Sequence, residues 1–265
     1  MKKIITLLFA LMFANSVFAS SIDVNEDNGI YHIVLSGNSM KKRIEFVSTV
    51  GLKTNKEIHD ETNATLTINA GFFDPKNQKT ISYVKNKGEV IEDPLTNEAL
   101  ITNPILRQHL QKILNRSEFR ITECDRKLKY SIVPHNTPVE FGCSVVTSAQ
   151  GGPQLLPELR LEEEFFILKD DDGNIIRQSA SVLDKTARTI IGLKGDDVHI
   201  LIITNKNPKT IFEAQDLCKS LGLHYAMAFD GGSSTSLDYK KIHVTSIQRF
   251  NEDTGRRLKS FLIVK

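Results

Sequence analysis

Five consecutive residues near the C-terminus, Asp230-Gly231-Gly232-Ser233-Ser234, combine side-chain types that an active-site loop can use. The apolar run at residues 225–229 predicts a strand directly before them, and strand ends are where proteins often present functional groups. Adjacent glycines let a backbone approach a ligand closely, and successive N–H groups in such a turn can form an anion-binding nest. The serines add hydroxyls and Asp230 adds a carboxylate. A tight turn capped by an aspartate is the structural alternative.

The segment Asn69-Ala70-Gly71-Phe72-Phe73 also follows a predicted strand, at residues 66–68. The amide of Asn69 can act as donor and acceptor toward sugar hydroxyls. Gly71 permits an unusual turn, and the two phenylalanines offer a stacking wall, although at least one of them is expected in the core. The segment is therefore a second candidate binding loop, with Phe73 as an aromatic contact.

Two further segments carry residues suited to an anion. Gly151-Gly152-Pro153-Gln154-Leu155 is a glycine-rich turn that leads into an apolar run. In Ala187-Arg188-Thr189-Ile190-Ile191-Gly192, an arginine opens a run that reads as a buried strand. Such an arginine is either paired structurally or placed to hold a phosphate with its planar guanidinium.

Together and in this order, the four motifs resemble the phosphodiester glycosidase family. The resemblance runs from about residue 69 to the C-terminus, and it implies hydrolysis of a sugar-1-phosphate diester. Two positions depart from the family's usual pattern: Ser233 replaces a glycine, and Ala70 replaces the middle residue of a commoner Asn-Gly-Gly. The motif residues that carry over are Asn69, Gly71, Arg188, Asp230, Gly231, Gly232 and Ser234.

Roles follow from side-chain chemistry and from the resemblance. We expect Asp230 to be an acid/base group or a nucleophile, with Arg188 and Asn69 as the other catalytic residues. Glu213 is better explained as the helix-capping partner of Thr210, which leaves no second catalytic carboxylate. The sequence assigns no cofactor, and the pattern is compatible with a divalent metal without requiring one. Substrate binding is assigned to Gly71, Phe73, Gly152, Gly231, Gly232, Ser233 and Ser234.

The N-terminus predicts export. Lys2-Lys3 is followed by an apolar run at residues 4–14 and by Val17 and Ala19, which fit the small-residue rule for cleavage. Residues 1–19 are therefore predicted to be a signal peptide, and the protein to be periplasmic or secreted. Its removal takes two of the 34 Lys and Arg residues and leaves a formally neutral chain, because there are 32 acidic residues. Net charge thus gives no support for nucleic-acid binding, and no transmembrane helix is expected after cleavage.

The chain has three cysteines, Cys124, Cys143 and Cys218. An oxidising compartment permits one disulfide, and Cys124 with Cys143 is the better pair because the two are close in sequence. Spacing alone leaves that bridge open. Cys218 falls on the apolar face of a predicted helix and reads as a small core residue.

Many short strands and two clear helices predict an α+β fold with a mixed, largely antiparallel sheet and the motif loops gathered at one sheet edge. Residues 30–35 and 43–47 are expected to form a hairpin, as are residues 188–194 with 198–204. Residues 20–265 are expected to form one domain. Residues 98–139 are more polar than their surroundings and are predicted to be a helical insertion, with a helix that starts at Asn103-Pro104 and continues to Leu114.

The resulting hypothesis is an exported hydrolase of a glycosyl phosphodiester in an envelope glycan or glycoconjugate. The alternative is a non-catalytic protein that uses the same pocket for glycan binding or exopolysaccharide maturation. Its partner would be a polysaccharide, whereas the enzyme's would be a glycosyl phosphate. Product release separates the two hypotheses.

Overall fold

The computed structural model describes residues 21–37, 43–179, 181–246 and 255–265. The predicted signal peptide at residues 1–19 lies outside these ranges. Within them, no helix is both long enough and apolar enough to cross a membrane.

Short strands dominate the described ranges, in which the helices are few and small. The strands are β1 (Ser21–Asp27), β2 (Ile30–Ser36), β3 (Ile44–Lys53), β4 (Leu66–Asn69), β5 (Val84–Asn86), β6 (Glu89–Glu92), β7 (Ser117–Cys124), β8 (Lys127–Pro134), β9 (Cys143–Gln150), β10 (Gln154–Leu156), β11 (Ile167–Lys169), β12 (Ile175–Gln178), β13 (Arg188–Lys194), β14 (Asp197–Ile203), β15 (Tyr225–Ala228), β16 (Ser236–Tyr239), β17 (Ile242–Thr245) and β18 (Leu258–Val264). The α-helices are α1 (Asn55–Thr62), α2 (Glu98–Thr102), α3 (Pro104–Gln108), α4 (Leu110–Leu114) and α5 (Ile211–Ser220).

The strands form three large sheets and one small hairpin. The first sheet has the order β1-β2-β14-β13-β15-β10, the second β17-β16-β4-β18-β3, and the third β6-β5-β9-β7-β8, while β11 pairs with β12. Every pairing between described strands is antiparallel. The predicted largely antiparallel pairing is confirmed. The fold is largely β and not α+β, because the helices are minor, and no parallel pair makes the described sheets mixed.

One apolar core joins the three large sheets. Ile33 and Ile200 from the first sheet, Phe46 from the second, and Phe119 from the third belong to the same buried cluster. The Phe46 ring makes edge contacts with Phe119 at 6.2 Å and with Phe229 at 6.0 Å, so one aromatic side chain bridges all three sheets. The motif loops therefore extend from strands that share one packed core.

A second cluster covers the other face of the first sheet. Helix α5 buries Ile211, Ala214 and Cys218 against it, which is why β13 and β14 are apolar on both faces. The predicted capping box is present: the Thr210 hydroxyl accepts from the Glu213 N–H, and the Glu213 carboxylate accepts from the Thr210 N–H. The paired strands β13 and β14 also confirm the predicted hairpin.

The hairpin expected from residues 30–35 and 43–47 is wrong. Strand β2 pairs with β1 and β14 in the first sheet, whereas β3 pairs with β18 in the second. Alternating sequence predicted both strands correctly but carried no information about their partners, which long-range packing selects.

The helical insertion expected at residues 98–139 is helical only as far as Leu114. Its second half forms strands β7 and β8, which pair with each other and, through β7, with β9 in the third sheet. The single helix expected from Asn103 to Leu114 is also interrupted at His109, whose backbone is non-helical and whose ring stacks on Phe165 at 4.0 Å. Two five-residue helices, α3 and α4, therefore replace it. They follow the five-residue α2, and apolar side chains from all three helices pack in one cluster with Phe165.

Cys124 and Cys143 form the expected disulfide bond, which links neighbouring strands β7 and β9. Cys218 is a buried free thiol, as expected. Burial raises the pKa of this thiol to about 12, so it behaves as a core side chain.

Candidate active site

All four motifs contribute to one cavity of about 370 Å³, the segment at residues 69–73 through its two phenylalanines. Asp230, Gly231 and Gly232 reach it from the end of β15, Arg188 from the start of β13, and Gly152 from the turn between β9 and β10. Strands β10, β13 and β15 belong to the first sheet, β9 belongs to the third, and β4, which precedes the phenylalanines, belongs to the second. The motif loops therefore gather, as predicted, but at the junction between sheets and not at one sheet edge.

Asp230 supplies the carboxylate at this cavity. Its burial raises the pKa of the carboxyl group to about 6, and this effect exceeds the opposing ones of the Ser234 hydroxyl, the Arg256 charge and the Gly231 N–H. A carboxyl group with a pKa near 6 can exchange a proton at neutral pH, as a general acid or base must.

Asn69 lies beneath Asp230 and does not line the cavity. Its Nδ2 donates to the backbone carbonyl of Asp230 at 2.5 Å, and its Oδ1 accepts from the Thr189 hydroxyl at 2.7 Å and from the Ser236 N–H at 3.1 Å. The side chain is 1% exposed. These contacts occupy its amide, so Asn69 positions Asp230 and is not placed to contact a sugar.

Gly231 and Gly232 form a tight turn in which both backbone N–H groups already have a hydrogen-bond partner. The Gly231 N–H bonds the Asp230 carboxylate, and the Gly232 N–H donates to the Ala187 carbonyl at 2.8 Å. A β-carbon on Gly231 would lie 3.1 Å from that same carbonyl, and Gly232 has a φ of +57°. Glycine is needed for close packing, and the expected anion nest from these two amides is not available.

Arg188 is 6% exposed and lines the cavity, but most of its guanidinium is hydrogen-bonded to backbone carbonyls. Nη2 donates to the carbonyls of Val182 at 2.9 Å and Asp184 at 2.6 Å, and Nε donates to that of Lys209 at 3.1 Å. Nη1 has no hydrogen-bond partner among the described residues. Arg188 therefore anchors the 181–184 loop and leaves one nitrogen for a ligand, so the expected two-pronged phosphate grip is not formed.

Arg256 lies directly beside the motif loop and was not among the site residues predicted from the sequence. Its Nη1 donates to the hydroxyls of Ser233 at 2.8 Å and Ser234 at 3.1 Å, and its guanidinium lies 5.0 Å from the centre of the Phe73 ring. Its charge also lowers the pKa of Asp230. Ser233 and Ser234 thus act through Arg256 and Asp230, and Phe73 supports the arginine.

Two more arginines, Arg116 and Arg177, line the same cavity and stack on aromatic rings. Arg116 lies 4.1 Å from the Phe166 ring centre and Arg177 lies 4.2 Å from that of Phe165. Nε of Arg116 donates to the Glu164 carbonyl, whereas its Nη1 and Nη2 have no hydrogen-bond partner in the described part of the chain. Arg116 is 6% exposed, and its burial lowers its pKa to about 10. An anion in the cavity would satisfy these nitrogens.

The remaining predicted residues have packing roles. A β-carbon on Gly71 would lie 2.7 Å from Cβ of Ser82, and Gly71 does not line the cavity. Gly152 does line it, with a φ of +109°, and a β-carbon there would lie 2.2 Å from Oε2 of Glu164. Glu164 is fully buried, and its burial raises the pKa of its carboxyl group. Both glycines keep space for neighbouring side chains.

The donor set does not fit a divalent metal. Within the described ranges, one carboxylate, Asp230, and four arginines line the cavity, and the charges of the arginines repel a cation. Among the described residues, the one cluster with ligand-like spacing is Cys124, Glu140 and Cys143, and both of its sulfurs are in the disulfide bond. The electrostatics favour an anion.

Comparison with known families decides the relationship. The family model described as phosphodiester glycosidase matches residues 62–265, a span that contains all four motifs. The chain belongs to the phosphodiester glycosidase family. The resemblance seen in the sequence is thereby confirmed, and family membership supports a hydrolase. Among curated proteins, none matches this sequence.

Solved structures share the fold of this family member. The catalytic domain of zebrafish N-acetylglucosamine-1-phosphodiester alpha-N-acetylglucosaminidase, auto-inhibited by its pro-peptide, has a TM-score of 0.65 at 12% identity over 95% of this chain and 84% of that one. A putative exported protein from Burkholderia pseudomallei K96243 has a TM-score of 0.58 at 12% identity, over 89% of this chain and 73% of that one. A hypothetical protein from Synechocystis has a TM-score of 0.56 at 14% identity, over 92% of this chain and 61% of that one.

The sequence signals for the missed arginines are weak. Arg116 follows the helical segment, Arg177 lies in a short hairpin strand, and Arg256 lies in a polar stretch near the C-terminus. None belongs to a glycine-rich motif. Their convergence in this phosphodiester glycosidase depends on tertiary structure.

Proposed function

We propose that this protein hydrolyses the bond between a sugar and the phosphate of a glycosyl phosphodiester. The observation that carries the proposal is the convergence of four arginines and one carboxylate with a raised pKa in a single cavity. A phosphodiester carries one negative charge and several acceptor oxygens, which suit the unpartnered nitrogens of Arg116 and the side chain of Arg256. Hydroxyls of Ser179, Ser181 and Thr186 line the same cavity and suit a sugar.

Asp230 acts as the general base in this proposal. It takes a proton from water while the water oxygen bonds to the anomeric carbon of the sugar, and the bond from that carbon to the phosphate oxygen breaks. The leaving phosphomonoester takes the electron pair and keeps its charge, because its second pKa is near 6. Arginines stabilise that charge as it develops. A second carboxylic acid is then unnecessary, which agrees with the single carboxylate that the described part of the chain contributes to the cavity lining.

Export and an envelope substrate complete the proposal. The leader-like residues 1–19 and the disulfide between Cys124 and Cys143 both support an oxidising compartment outside the cytoplasm. A formally neutral mature chain also suits a single small anionic group better than a polyanion. The substrate would be a sugar-1-phosphate diester of an envelope glycan or glycoconjugate.

Hydrolysis in ¹⁸O-labelled water tests the reaction. The purified protein, without its first 19 residues, is incubated with a panel of glycosyl phosphodiesters, with and without chelator. The expected products are a labelled free sugar and an unlabelled phosphomonoester. The label on phosphate would contradict attack at the sugar. Binding without any product would favour the non-catalytic glycan-binding alternative.

Asp216 provides a matched control for Asp230. It is an exposed aspartate on α5 that pairs with Lys219 at 3.2 Å and is not among the cavity-lining residues. Asp230→Asn is expected to abolish most turnover, whereas Asp216→Asn should leave it unchanged. Equal turnover by the wild type and Asp230→Asn would show that Asp230 is not the general base.

A further inference from the structure

One apolar part of the cavity lining comes from residues outside the four sequence motifs. Ile81, Leu100, Leu106 and Ile113, here called the helical wall, all line the cavity. The last three come one each from α2, α3 and α4. They belong to one small hydrophobic cluster with Phe165, whereas no residue of the 228–232 loop belongs to it. The three short helices therefore give the cavity a surface of their own.

Arg177 connects this wall to the anion site. Its guanidinium lies 4.2 Å from the centre of the Phe165 ring, and Phe165 packs with Leu100 and Ile113. Arg116 stacks on Phe166, which also lines the cavity. A phosphate held by these arginines would therefore have the helical wall close to it, with the Asp230 loop contributing a different part of the lining.

The apolar side chains of the helical wall favour an apolar part of the substrate. Its four side chains have no hydrogen-bonding atoms, so a sugar or polyol placed against them would lose hydrogen bonds to water without replacement. An aliphatic chain would instead bury apolar surface there, in continuity with the positive charge that holds its phosphate. We propose that the helical wall is the subsite for an aliphatic aglycone, so that the substrate is the phosphodiester of a sugar and a lipid-like alcohol. This inference rests on the proposed function and specifies its substrate class.

Binding of simple phosphates tests the subsite without turnover. The affinities of methyl, butyl and hexyl phosphate and of glycerol 1-phosphate are measured by calorimetry on the full mature protein. Affinity should rise by up to about fourfold for each methylene that is buried, and glycerol 1-phosphate should bind no better than methyl phosphate. Equal affinities for all the alkyl phosphates, or a preference for glycerol 1-phosphate, would overturn the proposal.

Two neighbouring residues on α3 provide matched variants. Leu106 lines the cavity, whereas Ile105 is 60% exposed and does not. Leu106→Gln should remove most of the dependence on chain length and leave the affinity for methyl phosphate within about twofold. Leu106→Met should retain the dependence because methionine is apolar and of similar size. Ile105→Gln should match the wild type, and an equal loss in Ile105→Gln would contradict the assignment.

Failure of this inference is distinguishable from failure of the proposed function. If methyl phosphate binds and glycosyl phosphodiesters are hydrolysed without any dependence on chain length, only the aliphatic subsite is wrong. If no phosphate binds and no diester is hydrolysed, the proposed function and the subsite both fall.

Discussion

The side chain of Asn69 holds the backbone of Asp230 across a sequence separation of 161 residues. Its amide nitrogen donates to the Asp230 carbonyl at 2.5 Å, while its amide oxygen accepts from Thr189 and Ser236. One buried amide thus joins the end of β4, strand β13 and the loop between β15 and β16. The direction of the Asp230 carboxylate depends on this bracing, although Asn69 does not line the cavity.

Asn69→Ala should therefore lower both stability and turnover. It leaves buried partners without a hydrogen bond, each worth about 1–3 kcal/mol, so the free energy of unfolding should fall by about 2–4 kcal/mol. Denaturant unfolding measures this loss. A variant with wild-type stability and reduced affinity for substrate would show instead that Asn69 contacts the sugar.

Asp230→Asn should stabilise the protein at neutral pH while removing activity. The pKa of Asp230 is about 6 in the folded protein and near 3.8 in the unfolded chain, so the folded state binds this proton more tightly. The free energy of unfolding consequently decreases as the pH rises from about 4 to 6, and the full decrease, at most about 3 kcal/mol, is present above pH 6.

Thermal melting at two pH values measures this effect. Asp230→Asn should melt above the wild type at pH 7.5, and the difference should vanish near pH 4, where both side chains are neutral. Turnover should fall by about a hundred- to ten-thousand-fold. A lower melting temperature for the variant at pH 7.5 would indicate that the ionised carboxylate stabilises the fold.

The rate should depend on pH through Asp230. A general base must be ionised, so kcat/KM should decrease about tenfold for each pH unit below about 6. Arg256→Gln should shift this limb to higher pH, because the charge of Arg256 lowers the pKa of Asp230. If the acid limb of the pH profile does not move in this variant, the charge of Arg256 does not influence the ionisation of Asp230.

Arg188→Lys and Arg256→Lys should have different consequences. Arg188 donates to three backbone carbonyls at 3.1 Å or less, and lysine cannot replace all of these bonds, so unfolding free energy should fall by about 2–4 kcal/mol. Arg256 bonds two serine hydroxyls at the cavity, so Arg256→Lys should weaken phosphate binding about tenfold with a smaller change in stability. Melting curves and calorimetry distinguish these outcomes, and the reverse pattern would assign Arg188 to the ligand.

The disulfide bond should stabilise the fold without contributing to catalysis. Cys124 and Cys143 close a loop of 19 residues and do not line the cavity. Replacing both by serine should lower the unfolding free energy by about 3 kcal/mol and leave kcat unchanged. Reductant should destabilise the wild type and not the double variant. Loss of activity in a folded double variant would contradict this separation.

Local patterns in the sequence predicted much of the second half of the chain. The paired strands at residues 188–204, helix α5 with its Thr210–Glu213 capping box, and the strand before Asp230 each follow from side chains that lie close together in sequence. Such elements depend on alternation, capping and turn residues, which act within a few positions. The partners of β2 and β3 do not depend on such local signals, and the hairpin expected between these two strands was wrong.

Asp230 at a strand end, the glycines around it and the family resemblance were all determined by the sequence alone. The tertiary structure decided what surrounds Asp230. The sequence assigned phosphate binding to Arg188 and sugar contact to Asn69, whereas in the fold most of the Arg188 guanidinium and both polar atoms of the Asn69 amide hold loops in place. It brings Arg116, Arg177 and Arg256 to the cavity from three unrelated segments. The physical reason is that the pKa of Asp230 depends on its burial and on every charge and hydrogen bond near it in space. Three sheets packed around one core bring together residues that no sequence pattern connects.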